Sequence, residues 1–520
     1  MTGDGSVRAL AGDTTVAAEI ELKLRVAPAR LREVMALLLP ARGSTTRKLA
    51  ATYFDTPALE LSRRRIALRV RREGRRWVQA VKGGGSTASG VHERLEIESV
   101  LRDRHPDLSI LPRHPVTKIL RSRKVAESLV LVLSTEITRS LCLLRPAPGV
   151  LIEVAVDRGV IRSGRRREQV CEIELELKSG PVSALFDLAL QLAQTVPLAL
   201  EHRSKAERGY ALFRGKAAPP EKAAPVVLNR EMTADQAFRA IAAAALAQVH
   251  ANEYGVTHSA DPEYLHQMRV GIRRLRSAFR LFRDLPGDDA APQIAALRVI
   301  AASLGPARDW DVFVTETLPM VRPALAAHVA AEAFERVCLK HRQAARAKAK
   351  KSIKTISYDN SMIALGGWLA ARGSDDNSEG DSAAGRQPAR ACAVQILAAH
   401  HARVLKRGRR IGQRTAAELH RLRIAVKQLR YATEFFSSLF SARSMATLRD
   451  RLARLQDILG RINDAAAVQP LLSVAAGDDR EFIAAAGIVT GWCEARAAAE
   501  RAVLQMAWRR FHTARRPWQE

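Results

Sequence analysis

The feature that most constrains this chain is a change of period. From Glu19 to about Tyr210, segment after segment alternates polar and apolar residues with period two, the mark of strands with two unlike faces. The alternation stops at residues 215–226, G-K-A-A-P-P-E-K-A-A-P-V, an Ala/Pro-rich linker. Beyond it apolar residues recur at helical spacing to the end. The expected fold class is therefore α+β: an N-terminal antiparallel β-barrel with flanking helices, then an all-α duplicated helical bundle. The expected boundaries are a disordered small-residue segment over 1–15, a barrel domain over 16–214, a linker over 215–229 and a helical domain over 230–515. Residues 373–388, G-S-D-D-N-S-E-G-D-S-A-A-G-R-Q-P, are polar and acidic. They read as a mobile loop between helical halves at about 230–372 and 389–515.

The duplication is visible in two strings, H-Q-M-R-V-G-I-R-R-L-R from His266 and H-R-L-R-I-A-V-K-Q-L-R from His420. Their basic residues fall at i, i+3, i+7 and i+10. At about 100° per residue these positions share an arc of roughly 80° on a helix. Met268, Ile272, Leu275 and Phe279 fall opposite, as do Leu422, Val426 and Leu429. Each copy is thus a helix with an apolar face for a core and a narrow cationic stripe. Two matched stripes point to one shared polyanion site. It comprises His266, Arg269, Arg273, Arg276 and Arg280, with His420, Arg423, Lys427 and Arg430. Histidine protonation near neutral pH is expected to tune it. Neighbouring Arg274, Lys406, Arg407, Arg409 and Arg410 read as surface charges, and His250, His400 and His401 as structural.

The halves correspond further: L-G-P-A-R-D at 304–309 matches L-G-R-I-N-D at 459–464. Asp309 and Asp464, each following a Leu-Gly pair, read as helix caps. Asp261-Pro262 reads as an N-cap with proline at the first helical position, and Thr415 with Glu418 as a capping box.

Both modules are basic, and the formal charge is +29. Such a chain attracts polyanions, but charge does not choose among nucleic acid, anionic membrane and polyphosphate. The stripes lack interleaved aromatics to stack bases, and aromatic residues make up only 5% of the chain, which speaks against specific nucleic-acid binding. No apolar stretch is long enough to span a bilayer, and no signal peptide precedes the first strand. The five cysteines form no C-x-x-C pair, which argues against a disulfide framework or zinc site and fits a reducing cytosol. A cytoplasmic location with no membrane partner is expected.

In the first module the charges are sorted. Glu19, Glu21, Lys23 and Arg25 share one face of a strand, Arg69 and Arg71 another, and Val78, Ala80 and Lys82 a third. Arg94, Glu96 and Glu98 share a face, as do Glu153 and Asp157, and Glu172, Glu174, Glu176 and Lys178. A sheet with one wet face would solvate such residues, but it tends to mix signs along each strand. Strands that carry clustered carboxylates beside others that carry Arg or Lys suit a closed barrel with polar faces turned inward. One wall would hold a divalent metal and the other phosphate oxygens.

Here the chain resembles a known family. E-I-E-L-K at 19–23 is the E-x-E-x-K signature of CYTH domains, or triphosphate tunnel metalloenzymes. In order follow Y-F-D-T-P at 53–57, Arg69/Arg71, Lys82, R-L-E-I-E at 94–98, Thr138-Arg139, D-R-G at 157–159, E-I-E-L-E-L-K-S-G at 172–180 and S-K-A-E-R-G at 204–209. The resemblance implies an eight-stranded antiparallel tunnel that hydrolyses a linear triphosphate with Mg²⁺ or Mn²⁺. It implies that Glu19, Glu21, Glu172, Glu174 and Glu176 face the metal, and that Lys23, Arg69, Arg71, Lys82, Arg139 and Lys205 hold phosphates. Glu96, Glu98 and Asp157 line the remainder. Glu21 and Lys23 are the catalytic candidates, with the general base left open. The duplicated helices resemble the CHAD domain, which implies binding of inorganic polyphosphate along a basic groove; delivering substrate or tethering the enzyme to polyphosphate granules is the use expected of it. Two other readings compete: an adenylate cyclase of the class IV type built on the same tunnel, and a non-catalytic polyphosphate-binding protein.

Overall fold

The computed structural model describes residues 8–10, 14–39, 43–88, 90–374 and 383–519. Two compact units emerge: residues 1–220 with 355–376, and 221–354 with 377–520.

The first unit is built from β1 (Arg8–Leu10), β2 (Thr14–Val26), β3 (Thr45–Asp55), β4 (Ala67–Glu73), β5 (Arg76–Ala88), β6 (Val91–Leu101), β7 (Val130–Leu144), β8 (Leu151–Ser163), β9 (Arg166–Ser179) and β10 (Leu198–Leu200). Eight of them close a barrel in the order β2-β6-β5-β4-β3-β7-β8-β9, with β9 returning to β2. Closure leaves no free edge in the ring. Both β1 and β10 pair with β2. Residues 8–10 and 14–15, expected to be disordered, are therefore strand: Arg8–Leu10 pairs with 14–16. Residues 1–7 and 11–13 lie outside the described ones.

On β2 and β9 the apolar face turns outward, whereas Tyr53 and Ile137 sit on the inward faces that carry Arg69 and Arg139. Leu22, Leu24, Ile173 and Leu175 are fully buried, and the helix Ser183–Ala193 packs on β2 and β9. A second cluster, with Leu68, Val81, Ile97, Leu111 and Val116, covers the barrel elsewhere. The helix Ile356–Ser374 packs on helix Ser183–Ala193 and on β10. A Cβ at Gly367 would come within 2.8 Å of Phe186, so glycine sets this close approach. By sequence order that helix falls in the first helical half, yet it packs with the barrel unit.

The second unit is helical. Its basic helices are Pro262–Leu281 and Ala416–Phe435. Asp261 accepts from the Glu263 N–H with Pro262 at the first turn, and Thr415 and Glu418 form the capping box. Met268, Ile272, Leu275, Phe279, Leu422, Val426 and Leu429 are all buried, as the period demands. Of the expected loop 373–388, residues 375–382 lie outside the described ones, and Ala383–Arg386 forms a helical turn. Among the described residues no helix is long and apolar enough to cross a membrane.

Arg274 corrects a sequence expectation. It is 2% exposed rather than a surface charge. It pairs with Glu434 and lies over the Phe435 ring at 5.2 Å. Removing one partner of a buried ion pair leaves the other uncompensated. Glu434→Ala should destabilise the protein by about 3 kcal/mol, read as a lowered denaturation midpoint of the helical signal.

Candidate functional site

Strand register decides which charges meet inside the barrel. Glu21 stands opposite Glu176, Lys23 opposite Glu174, and Arg25 opposite Glu172. Asp157 stands opposite both Glu172 and Arg139. The carboxylate oxygens of Asp157, Glu172 and Glu174 lie within 4.8 Å of one another, a group that could hold a metal ion. Cations surround it. The Lys205 ammonium is 2.7 Å from Asp157 and 2.9 Å from Glu174, and it also bonds Glu172. Arg139 donates twice to Asp157, at 2.8 and 2.6 Å, and again to Glu174. Lys23 lies between Glu21, at 2.7 Å, and Glu174.

These contacts set the protonation states. Burial pushes Glu174 up, but Lys205, Lys23 and Arg139 outweigh it and hold the carboxyl well below its ordinary range. Asp157 is lowered in the same way, with Lys205 and Arg139 overcoming burial. Glu21 goes the other way: burial raises it, Lys23 takes part of that back, and Glu174 and Glu19 add to the rise.

Across the interior, Lys82 donates to Glu19 at 2.6 Å and lies 3.2 Å from Glu96. Arg69 meets Glu96 at 3.1 Å and Glu98 at 3.5 Å, and Arg71 meets Glu98 at 3.4 Å. Glu96 is driven up by burial but held down to about 2 by Lys82 and Arg69. Arg69 Nε and Arg71 Nε are buried without a hydrogen-bond partner, so donor capacity is left unspent on this wall. Glu19, Glu21 and Glu176 lie outside the three-carboxylate group. Glu19 faces Lys82, and Glu176 bonds Lys178 at 2.5 Å.

The helix Lys205–Arg214 carries two of these cations inward. A Ser204/Glu207 capping box starts it. Tyr210 and Ala206 pack with Tyr53, Leu133 and Ile137. A Cβ at Gly209 would come within 2.5 Å of Leu133, so the residue must be small. Sequence reasoning missed Arg208, three residues after Lys205 and on the same face. It is 5% exposed and donates to Glu172 at 2.7 Å, Glu168 at 2.8 Å and the Gln169 carbonyl at 2.7 Å. The i, i+3 spacing in S-K-A-E-R-G was the available signal. By holding Glu172, Arg208 aims that carboxylate at its neighbours. Arg208→Ala should weaken any divalent-metal binding by this carboxylate group about tenfold, with Arg208→Lys recovering part of it, checked by calorimetric titration with the metal. Arg94, which the sequence places on the face of Glu96 and Glu98, stands opposite Glu19 and bonds Glu207 at 3.3 Å.

In the helical unit the two stripes converge. Lys427 feels Arg273 and Arg269 of the first helix as well as Arg423 and Arg430 of its own; burial first, then these arginines, push its ammonium down to about 7. Gln428 donates to Ser277 at 3.4 Å across the pair. Arg273 Nε and Arg430 Nε are buried without a hydrogen-bond partner. His266 departs from expectation. Burial and Arg308 push it down to about 4, whereas Lys427 is brought down into the neutral range. His420 bonds Asn463 at 2.5 Å.

Asp309 and Asp464 are not caps, because helices run through both positions. Burial raises each carboxyl against the pull of Arg269 and Arg423 respectively. Thus each half places the aspartate of its Leu-Gly motif beside the second basic residue of its stripe. His250, His400 and His401 are buried.

A closed barrel with a charged lumen, followed in the chain by a duplicated basic helical domain, defines a two-module protein whose sites both suit anions. Residues 17–210 match the CYTH domain and residues 240–473 the CHAD domain, and the chain belongs to the proteins in which a CYTH domain is followed by a CHAD domain. A Haemophilus influenzae protein described as an inorganic triphosphatase is 32% identical over 199 residues, 37% of this chain and 54% of the relative. The chain thus spans about half the length of that relative. The crystal structure of the CHAD domain from the plant Ricinus communis is 31% identical with a TM-score of 0.52, covering 58% of this chain and 99% of that one. A Hippeastrum protein, described as a candidate adenylyl cyclase with a dominant triphosphatase activity, is 23% identical with a TM-score of 0.30. It covers 39% of this chain and 98% of its own, a likeness that carries no argument.

Proposed function

We propose that the barrel hydrolyses inorganic triphosphate with Mg²⁺ or Mn²⁺ and that the helical domain binds inorganic polyphosphate along its paired stripes. The observation that carries the first part is the convergence of Asp157, Glu172 and Glu174 within 4.8 Å, inside a lumen that also presents Arg69, Arg71 and Lys82. Three carboxylates are an all-oxygen donor set that suits a hard divalent cation. Asp157, Glu172 and Glu174 would hold it, with Glu21 nearby. A divalent ion supplies charge neutralisation on the phosphoryl oxygens.

The chain's own groups do the rest. Arg69, Arg71 and Lys82 bind and orient the phosphates, and Lys205 and Arg139 balance the carboxylate wall. Water attacks the terminal phosphorus, and its proton passes to a Glu21 carboxylate oxygen, with Lys23 holding that carboxylate at 2.7 Å. The P–O anhydride bond breaks, giving phosphate and pyrophosphate. Because burial raises Glu21 above its ordinary value, activity should fall as pH drops through a point above the ordinary glutamate value. Glu21→Gln should remove that acid limb along with most of the rate, checked by a pH profile of kcat/KM.

The test of the whole reading is phosphate release from tripolyphosphate by the purified chain with each metal. ATP runs in parallel, and cyclic AMP there would favour the cyclase. Binding of long-chain polyphosphate without any phosphate release would favour the non-catalytic reading. Association with polyphosphate granules in the cytoplasm is the expected consequence of the helical domain's role.

A further inference from the structure

The second basic helix carries cations on two sides. At about 100° per residue, Glu418 and Arg421 lie on roughly the opposite side from His420, Arg423, Lys427 and Arg430. There, with Arg403, Lys406, Arg407 and Arg414, they line a hollow of 530 Å³. Sequence reasoning treated Lys406 and Arg407 as surface charges.

The hollow is built rather than incidental. Arg407 donates to the Arg421 carbonyl at 2.8 Å, and Arg414 to the Arg409 carbonyl at 2.9 Å. Arg501 reaches in from helix Arg480–His512 to the Arg414 carbonyl at 3.1 Å. The turn these bonds brace is tight. Arg410 adopts φ 51°, a left-handed conformation that a non-glycine residue holds at a cost of order 1 kcal/mol. A Cβ at Gly412 would come within 2.3 Å of Gln505, and one at Gly408 within 2.0 Å of Trp508. Helix C-terminal charge explains Lys406 and Arg407 in part, since cations favour that end. It does not explain Arg403 and Arg421, brought to the same hollow. The one carboxylate there, Glu418, is already engaged by Arg414 at 2.5 Å and by the Thr415 cap. Among the described residues Arg403, Lys406 and Arg421 make no ion pair. Five like charges around a hollow with one committed counter-charge repel one another, and a multivalent anion relieves that repulsion.

We propose that this hollow is a second anion site, separate from the paired stripes, that binds a run of adjacent phosphates. It stands independently of the polyphosphate reading for the stripes. The shared ligand chemistry is a phosphoanhydride chain, free or as the tail of a nucleotide.

The test is local. The full chain, with a chelator present to stop hydrolysis, is labelled with an amine-acylating reagent, and Lys406 is followed by mass spectrometry. Tripolyphosphate should slow labelling of Lys406 at least fivefold. The slowing should persist in the Arg273→Ala/Lys427→Ala variant and vanish in Arg403→Ala/Arg421→Ala, whose altered side chains are exposed and whose fold is verified by circular dichroism. ATP protecting as well as tripolyphosphate would assign the nucleotide tail, and ATP failing would assign the inorganic chain. The proposal is overturned by unchanged labelling. It is equally overturned if protection disappears with the stripe variant, if Lys348 and Lys351 are protected to the same degree, or if duplex DNA protects at lower phosphate concentration than tripolyphosphate.

Discussion

Glu174→Gln should lower metal-dependent phosphate release from tripolyphosphate by about 100-fold or more, the scale of losing one preorganised charge at a reacting centre. Among the described residues no other carboxylate in the lumen has as many cationic partners. It bonds Lys23, Arg139 and Lys205 and belongs to the three-carboxylate group. Replacing it removes a candidate metal donor and leaves three lumen cations, Lys23 among them buried, with one anion fewer. The variant should therefore need more metal for half-maximal activity and unfold at lower denaturant. Glu136→Gln is the comparison, because Glu136 stands opposite Ala50 and Val160 on the outward face and its side chain is 64% exposed. Its activity should stay within twofold. Equal activity of the Glu174 and Glu136 variants, with either metal, would sink the assignment of the carboxylate group.

The inward turn of the charges was legible in the sequence, because period two fixes which residues share a face. Which of them meet was not, because cross-strand register is not written in any one strand. Asp157 read as lining, yet it meets Glu172 across β8 and β9. Glu176, one pleat from Glu174 on the same strand, is instead engaged by Lys178. The stripes were legible from spacing, but the state of Lys427 depends on arginines that arrive from the other helix. Arg274 escaped because an arginine in a basic helix reads as solvated until Glu434 is found against it. The helix Ile356–Ser374 escaped for a different reason. Chain order assigns it to the helical domain, and only packing on helix Ser183–Ala193 and β10 reassigns it.

Polyphosphate binding by the paired stripes should fall steeply with salt and lose about 100-fold or more in affinity in the Arg273→Ala/Lys427→Ala variant. Two charge-assisted contacts at about 1.5–3 kcal/mol each set that scale. The slope of log affinity against log salt should shrink by roughly one per cation removed. The pH dependence carries a sign. Burial and the four arginines hold Lys427 near 7 in the free protein, and a bound polyanion favours its charged form and raises that value. Between 7 and the raised value, binding takes up a proton, so affinity falls as pH rises, by up to about tenfold per unit. Below 7 Lys427 is charged in both states and contributes no slope. Lys427→Arg keeps the charge and should flatten the profile above pH 7 while preserving affinity there, measured by calorimetric titration with long-chain polyphosphate at fixed ionic strength. An unchanged slope in Lys427→Arg would remove this residue from the site, and with it the argument that the two stripes act on one ligand.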